Sequence, residues 1–255
     1  GTGTVSLNGV VAGDTVGTTG SVFTFADRNA GIGKAVAVTG TALTGADSGN
    51  YTLTVPASAL ADILTKALTA TVTVDGKTYD GTTIATGAIS LNGAVAGDTV
   101  GTTGPVFTFA DKNAGSSKAV NVTGTALSGT DAGNYTLTVP ATALADILTK
   151  ALTATVSANG KTYDGTTAAT GSVALSGVVS GDSVSTGGIT FTFADKNAGT
   201  GKAVAVGGGL SGTDAGNYNV SLPATVLADI LKKALAPTVS ANGQAVTGGT
   251  WSFST

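Results

Sequence analysis

Glutamate, histidine, cysteine and methionine are all missing from this 255-residue chain, and each absence excludes something. All fifteen acidic residues are Asp. Glu is a good helix former, whereas Asp and Gly favour turns and the abundant Thr and Val favour strands. The missing Glu therefore points to an all-β protein. Without His and Cys the usual transition-metal ligands, the thiol nucleophiles and the commonest general base at neutral pH are gone, and no disulfide can form. Charge is sparse, with twelve Lys and Arg and a net charge of −3. No basic run offers a footprint for nucleic acid or anionic lipid. No apolar run approaches the roughly 20 residues of a membrane helix. The chain does not begin with Met and shows no signal peptide, which reads as an excised or processed piece of something longer.

What is present is repetition. FTFAD begins at residues 23, 107 and 191, a spacing of 84 each time. GNY begins at 49, 133 and 216, and LADIL at 60, 144 and 227. The third copy is one residue shorter around Gly207–Gly208–Gly209, where a loop would absorb the deletion. Within a copy the apolar period is two. Phe107 and Phe109 share one face, as do Val120 with Val122, and Tyr135 with Leu137 and Val139. Such alternation predicts about seven or eight half-buried strands per repeat. Asp75-Gly76 and Asn159-Gly160, each between alternating runs, predict tight hairpins. The segment ASALADILTKAL after Pro56 also has apolar residues at helical spacing. It is read here as a last strand, a linker at Thr65-Lys66 and the first strand of the next repeat.

The expected architecture is all-β: tandem Ig-like β-sandwich modules of about 84 residues forming an elongated rod. The divisions are 1–66 (a module lacking its first strands), 67–150, 151–233, and 234–255 as the start of a divergent module or a donated strand. DSGNY at 47–51 and DAGNY at 131–135 and 214–218 resemble the D-x-G-x-Y stretch of immunoglobulin-like domains. There the Tyr hydroxyl bonds back to the backbone just upstream, which assigns Tyr51, Tyr135 and Tyr218 a possible corner role.

A wider resemblance rests on KTYDGTT, FADKNAG, GTDAGNYTLT and ADI–K–ALT at fixed spacing. Together they resemble the YDG repeat of large bacterial surface adhesins of the filamentous-haemagglutinin type. The resemblance implies a secreted, cell-surface β-protein of Gram-negative type whose repeats form a stalk, and no enzyme. The chain departs from the pattern at 243–250, where GQAVTGGT replaces GKTYDGTT.

Several residues are candidate sites. Tyr79-Asp80-Gly81 and Tyr163-Asp164-Gly165 could hold a sugar or a cation. Alternatively the Tyr packs on the core, the Asp caps a turn and the Gly supplies a left-handed backbone. Asp27/Asn29, Asp111/Asn113 and Asp195/Asn197 are weak calcium candidates, resembling the start of a calcium loop without its terminal Glu. Lys77 and Lys161, near Asp80 and Asp164, are candidates for an isopeptide bond. Asn50, Asn121, Asn134 and Asn219 lie in N-x-S/T sequons. Catalysis is not expected, since no His activates the Ser and Thr, and no cofactor is expected beyond calcium.

The leading functional expectation is a spacer that projects a distal adhesive region from a bacterial surface or biofilm matrix. Its partners are neighbouring modules of the same chain, with neither nucleic acid nor membrane insertion. Two alternatives remain open. One is a fibre of identical chains in which residues 234–255, beginning like the LTATV strand, complete module one of the next chain. The other is weak glycan binding through Trp251 and exposed Thr faces.

Overall fold

The computed structural model describes residues 1–238. Residues 239–255, with Trp251 and the GQAVTGGT segment, lie outside the described residues. The described chain is built from strands and three single-turn 3-10 helices, with no α-helix. It divides into two compact units, Gly1–Thr149 and the chain from Lys150 onward.

Unit one holds two repeats. The first contributes β1 (Gly17–Thr19), β2 (Val22–Phe25), β3 (Gly31–Thr39), β4 (Ala42–Thr44) and β5 (Ser58–Ile63). The second contributes β6 (Lys66–Val74), β7 (Lys77–Thr78), β8 (Ile84–Ala85), β9 (Gly87–Asn92) and β10 (Gly101–Thr103). It continues with β11 (Val106–Phe109), β12 (Gly115–Thr123), β13 (Ala126–Ser128), β14 (Tyr135–Thr138) and β15 (Thr142–Leu148). Unit two contributes β16 (Lys150–Ala158), β17 (Lys161–Thr162), β18 (Gly171–Ser176), β19 (Ile189–Phe193), β20 (Gly199–Gly208), β21 (Tyr218–Val220) and β22 (Thr225–Leu231). The ambiguous 56–68 segment is strand, two residues, then strand, as its β reading predicts, but the two residues are Leu64 and Thr65, and Lys66 already belongs to β6.

The second repeat has a five-stranded sheet, β7-β15-β12-β11-β8, a three-stranded sheet, β14-β6-β9, and a β10-β13 ribbon. Alternation sets which side chains enter its core. Phe107, Phe109, Val120 and Val122 are buried, with Ala145 and Ile147 from β15. In the smaller sheet Leu68 and Tyr135 are buried. Unit two repeats this plan with β17-β22-β20-β19 and β18-β16-β21. Phe193, Val204, Ala228 and Ile230 form its core, and Ala158, Tyr163 and Phe191 pack against them.

The hairpins expected at Asp75-Gly76 and Asn159-Gly160 do not form. β6 pairs with β9 and β14, whereas β7 leaves that sheet and pairs in parallel with β15. A two-residue hairpin turn of the Asn-Gly or Asp-Gly type needs positive φ at both central residues. Neither Gly76 nor Gly160 has one. The glycine serves close approach instead: a Cβ on Gly76 would lie 3.3 Å from the Asp146 carbonyl oxygen. The shortened third copy also differs from expectation. β20 runs through Gly207 and Gly208, so the deletion falls at a strand end. Its cost is the ribbon, since the three pairs of β10 and β13 shrink to a single Ser185–Ser211 bridge.

A bulge recurs in β3, β12 and β20, where the register shifts against the neighbouring strand. The bulged positions are Gly33, Ser117 and Gly201, all at positive φ. In each case the backbone N–H donates to an Asp on the paired strand, Asp62, Asp146 or Asp229, at 2.7 Å. Ser117 alone carries a side chain there, at φ 49. A left-handed backbone costs a non-Gly residue roughly 1–2 kcal/mol, and glycine's extra entropy returns about 0.5–1. Ser117→Gly is therefore expected to stabilise unit one by about 0.5–1 kcal/mol in urea titrations.

Candidate functional site

The Tyr-Asp-Gly turns follow the short strands β7 and β17. Tyr79 is 1% exposed, and its backbone N–H donates to the Leu148 carbonyl at 2.8 Å. Tyr163 is half-buried against the unit-two core, and its N–H donates to Leu231. Asp80 and Asp164 each accept the backbone N–H two residues on, from Thr82 and Thr166, at 2.8 and 2.9 Å. This is the local turn a short carboxylate can close. Gly81 and Gly165 follow at φ 80 and 81.

A lysine completes each turn. Lys77 Nζ donates to Asp80 Oδ1, to the Thr82 carbonyl and hydroxyl, and to the Ile84 carbonyl, all within 2.8–3.0 Å. It also stands 5.6 Å from the centroid of the Phe109 ring. Lys161 repeats this with Asp164, Thr166 and Ala168, over Phe193. An isopeptide bond requires a neutral amine facing a carboxyl in a dry pocket. Here the ammonium is held by four oxygens and the Asp80 side chain is 52% exposed. The pair acts as a charged clasp over an aromatic ring.

The electrostatics follow from these contacts. The Lys161 ammonium, then the Thr166 N–H and hydroxyl, hold the Asp164 carboxyl down at about 2. Burial pushes Asp80 up, but Lys77 and Thr82 outweigh it and leave it below its usual value. A folded-state pKa below the unfolded value of ~3.9 gives stability that is complete above that value and is lost as pH falls toward the folded one. Unit two is therefore expected to lose stability between about pH 4 and pH 2. Asp164→Asn should flatten, though not abolish, that slope in denaturant titrations across pH 2–5, because Lys202 and Asn197 also hold Asp195 low.

The weak calcium candidates form the same kind of turn. Asp27, Asp111 and Asp195 accept the backbone N–H groups of Asn29, Asn113 and Asn197 at 2.8 Å. Each carboxylate also pairs with a lysine, Lys34, Lys118 or Lys202. In each copy the same oxygen, Oδ1, takes both the backbone N–H and the ammonium. Among the described residues no group of three or more acidic side chains is placed to hold a metal ion.

Tyr51, Tyr135 and Tyr218 each follow a single-turn 3-10 helix. Their hydroxyls do not return to the backbone just upstream. They donate to Asp14, Asp98 and Asp182, at 2.6, 2.5 and 2.6 Å, and accept the N–H groups of Val11, Val95 and Val179. The hydrogen bond to a carboxylate raises the phenol pKa of Tyr51 and Tyr135. A second carboxylate fixes the same loop. Asp47, Asp131 and Asp214 accept the backbone N–H groups of Thr15, Thr99 and Ser183.

The two repeats of unit one meet through these loops. Arg28 Nη1 lies 2.9 Å from Asp98 and Nη2 lies 3.3 Å from Asp131. The Asp98 side chain is only 6% exposed. Asn134 accepts the Ala30 N–H and donates to Asn29 through its amide. A glycan on Asn134 would break this joint, whereas Asn50, Asn121 and Asn219 are exposed.

The pairing of Asp14, Asp98 and Asp182 with the tyrosine hydroxyls, and of Asp62, Asp146 and Asp229 with the bulges, was not foreseen from the sequence, although Gly97-Asp98 reads as a turn. Their signal was present in the recurring Gly-Asp and Ala-Asp-Ile, each at a fixed place in every copy. With Asp75, which accepts the Thr86 hydroxyl, all fifteen Asp accept a hydrogen bond within their own unit.

These features define a class: an all-β tandem-repeat protein whose turns, bulges and joint are fastened by aspartate. The YDG domain matches the chain three times, over residues 1–59, 64–143 and 148–226. The chain belongs to the YDG-domain family. No curated protein and no solved structure matches it.

Proposed function

We propose that this chain is a non-enzymatic spacer, a run of stalk repeats from a large secreted bacterial adhesin that holds a distal adhesive region away from the cell surface. The observation that carries this reading is the use of every carboxylate for the fold itself. A reactive site needs acids withheld from such duty, and a catalytic pair would not be expected at the same place in successive copies. Each complete repeat is read as an Ig-like sandwich, supported by its two sheets and, in unit two, by Ala158 of β16 packed against the core of the other sheet. Repeats joined by linkers of two residues and of one favour an elongated rod. The stalk is read as working without a metal or cofactor, since the candidate calcium turns are closed by lysine.

Small-angle scattering on chains of one, two and three repeats tests the reading. The maximum dimension is expected to grow by a near-constant step per repeat. A particle that stays as short with three repeats as with two would overturn it. In cells, deleting one repeat should shorten the reach of the adhesin while the distal region still binds its target.

A further inference from the structure

In the second repeat one edge of β6 is covered along its length and the other is covered only in part. On one side β6 meets β9 from Thr69 to Val74 without a register shift. On the other, β14 pairs only with Lys66–Thr69, and the chain then crosses through Val139-Pro140-Ala141 to β15 in the larger sheet. The ladder shows where the backbone of the uncovered half points. Asp75 N–H donates to the Thr86 carbonyl, so the bonds to β9 leave from Thr73, Thr71 and Thr69. The N–H and C=O groups of Val72 and Val74 therefore face away from β9, and among the described residues no strand pairs with them there.

β15 has a matching gap. Val122 N–H donates to the Ala141 carbonyl and Val120 pairs with Ala143, so Thr142 and Leu144 turn their backbone groups away from β12. On that side β7 meets β15 only at Ile147 and Leu148. The two free edges border one groove of about 660 Å³, with the Ala70–Val74 half of β6 on one side and Pro140 and Leu144 on the other. No charged residue of the described chain lines it. Ala70, Val72 and Val74 are half-buried, and Leu144 is 65% exposed. Exposed edges are commonly blunted by lysine, proline or a bulge, and Ala70–Val74 carries none of these. The third repeat keeps the arrangement. β21 pairs only with Lys150–Leu152 of β16, Asn159 N–H donates to the Thr170 carbonyl, and Val156 and Ala158 face away from β18.

We propose that the uncovered half of β6, and likewise of β16, is a strand-acceptor edge for an extended peptide segment of defined chemistry: uncharged, with apolar side chains on one face and small or hydroxyl-bearing ones on the other. The acceptor sets this pattern. A strand laid beside β6 turns the side chains opposite Ala70, Val72 and Val74 toward the apolar groove, and those opposite Thr71 and Thr73 toward solvent. β9 shows the pattern on the opposite edge, with Leu91 and Ile89 opposite Ala70 and Val72, and Ser90 and Ala88 opposite Thr71 and Thr73. A charge on the inner face of the incoming strand would be buried against apolar walls without a partner. The inference does not rest on the spacer reading, which survives if the groove stays empty.

Two-dimensional NMR of the whole chain, titrated with the end-blocked peptide GAISLN (the sequence of β9), tests it. Saturable shifts and slowed amide exchange are expected at Val72 and Val74, and at Val156 and Ala158. The same peptide with Ile89→Asp should not bind. In the protein, Val72→Pro removes the donor that faces the groove and none of the bonds to β9, so the sheet stays folded. It should weaken binding at β6 about tenfold and leave binding at β16 unchanged. Three results would overturn the proposal. One is the absence of any saturable shift. Another is a set of shifts centred on Thr71, Thr73 and residues 87–92, which would mean that the peptide displaces β9. The third is undiminished binding at β6 in Val72→Pro.

Discussion

Phe193→Ala is expected to destabilise unit two by about 3–5 kcal/mol, the range for truncating a fully buried aromatic. Phe193 is 1% exposed and packs with Val204, Ala228 and Ile230, beneath the Lys161 ammonium. The change therefore removes ring burial and also uncovers one side of the Lys161–Asp164 clasp. The same substitution at Phe25, its counterpart in the first repeat, is expected to cost less than half as much. Phe25 is only half-buried, and Val36 is the sole fully buried apolar side chain among the described residues of that repeat. Denaturant unfolding followed separately for the two units, by amide exchange or by unit-specific probes, checks the pair. Equal losses at Phe193 and Phe25 would mean that the first repeat has a finished core after all.

Much of this was legible from period-two patterning, because a strand with one buried face writes its orientation into alternate residues. Phe107/Phe109 and Val120/Val122 enter the core as their alternation requires. Partnering was less legible. Asp75-Gly76 has hairpin composition, but the chain changes sheets there, and composition does not report the sign of φ. The YTLTV segments are the clearest case. Residues 51–55 and 135–139 are identical in sequence, yet only the second contains a ladder strand, because only it has β6 beside it. Strand formation here depends on a neighbour far away in the chain, which no local pattern encodes.

The candidate site was legible in composition but not in purpose. The absence of Glu reads as a bias against helix, and the structure adds a second reason for it. Five of the carboxylates close turns onto the N–H two residues on, and three more clamp bulges on an adjacent strand. One methylene fits that reach, and two would overshoot it. Lys77 was visible as a lysine near an aspartate, but its role as a lid on Phe109 depends on β11 and the YDG turn coming together in space.

Leu68→Ala is the companion experiment, with an expected loss of about 2–5 kcal/mol from unit one. Leu68 is buried at the centre of the smaller sheet, opposite Leu137, and β6 holds both β9 and β14 in place. Truncation leaves a void under the strand and weakens its grip on both neighbours. Amide-exchange protection should fall first at 87–92 and 135–138, the segments whose counterparts in the first repeat form no strand. Protection in β11, β12 and β15 should fall less, since those strands pair with one another in the other sheet. Deleting the side chain therefore separates two contributions of β6, the apolar plug and the backbone ladder. If protection at 135–138 survives Leu68→Ala undiminished, the ladder alone holds the sheet, and the plug matters only for total stability.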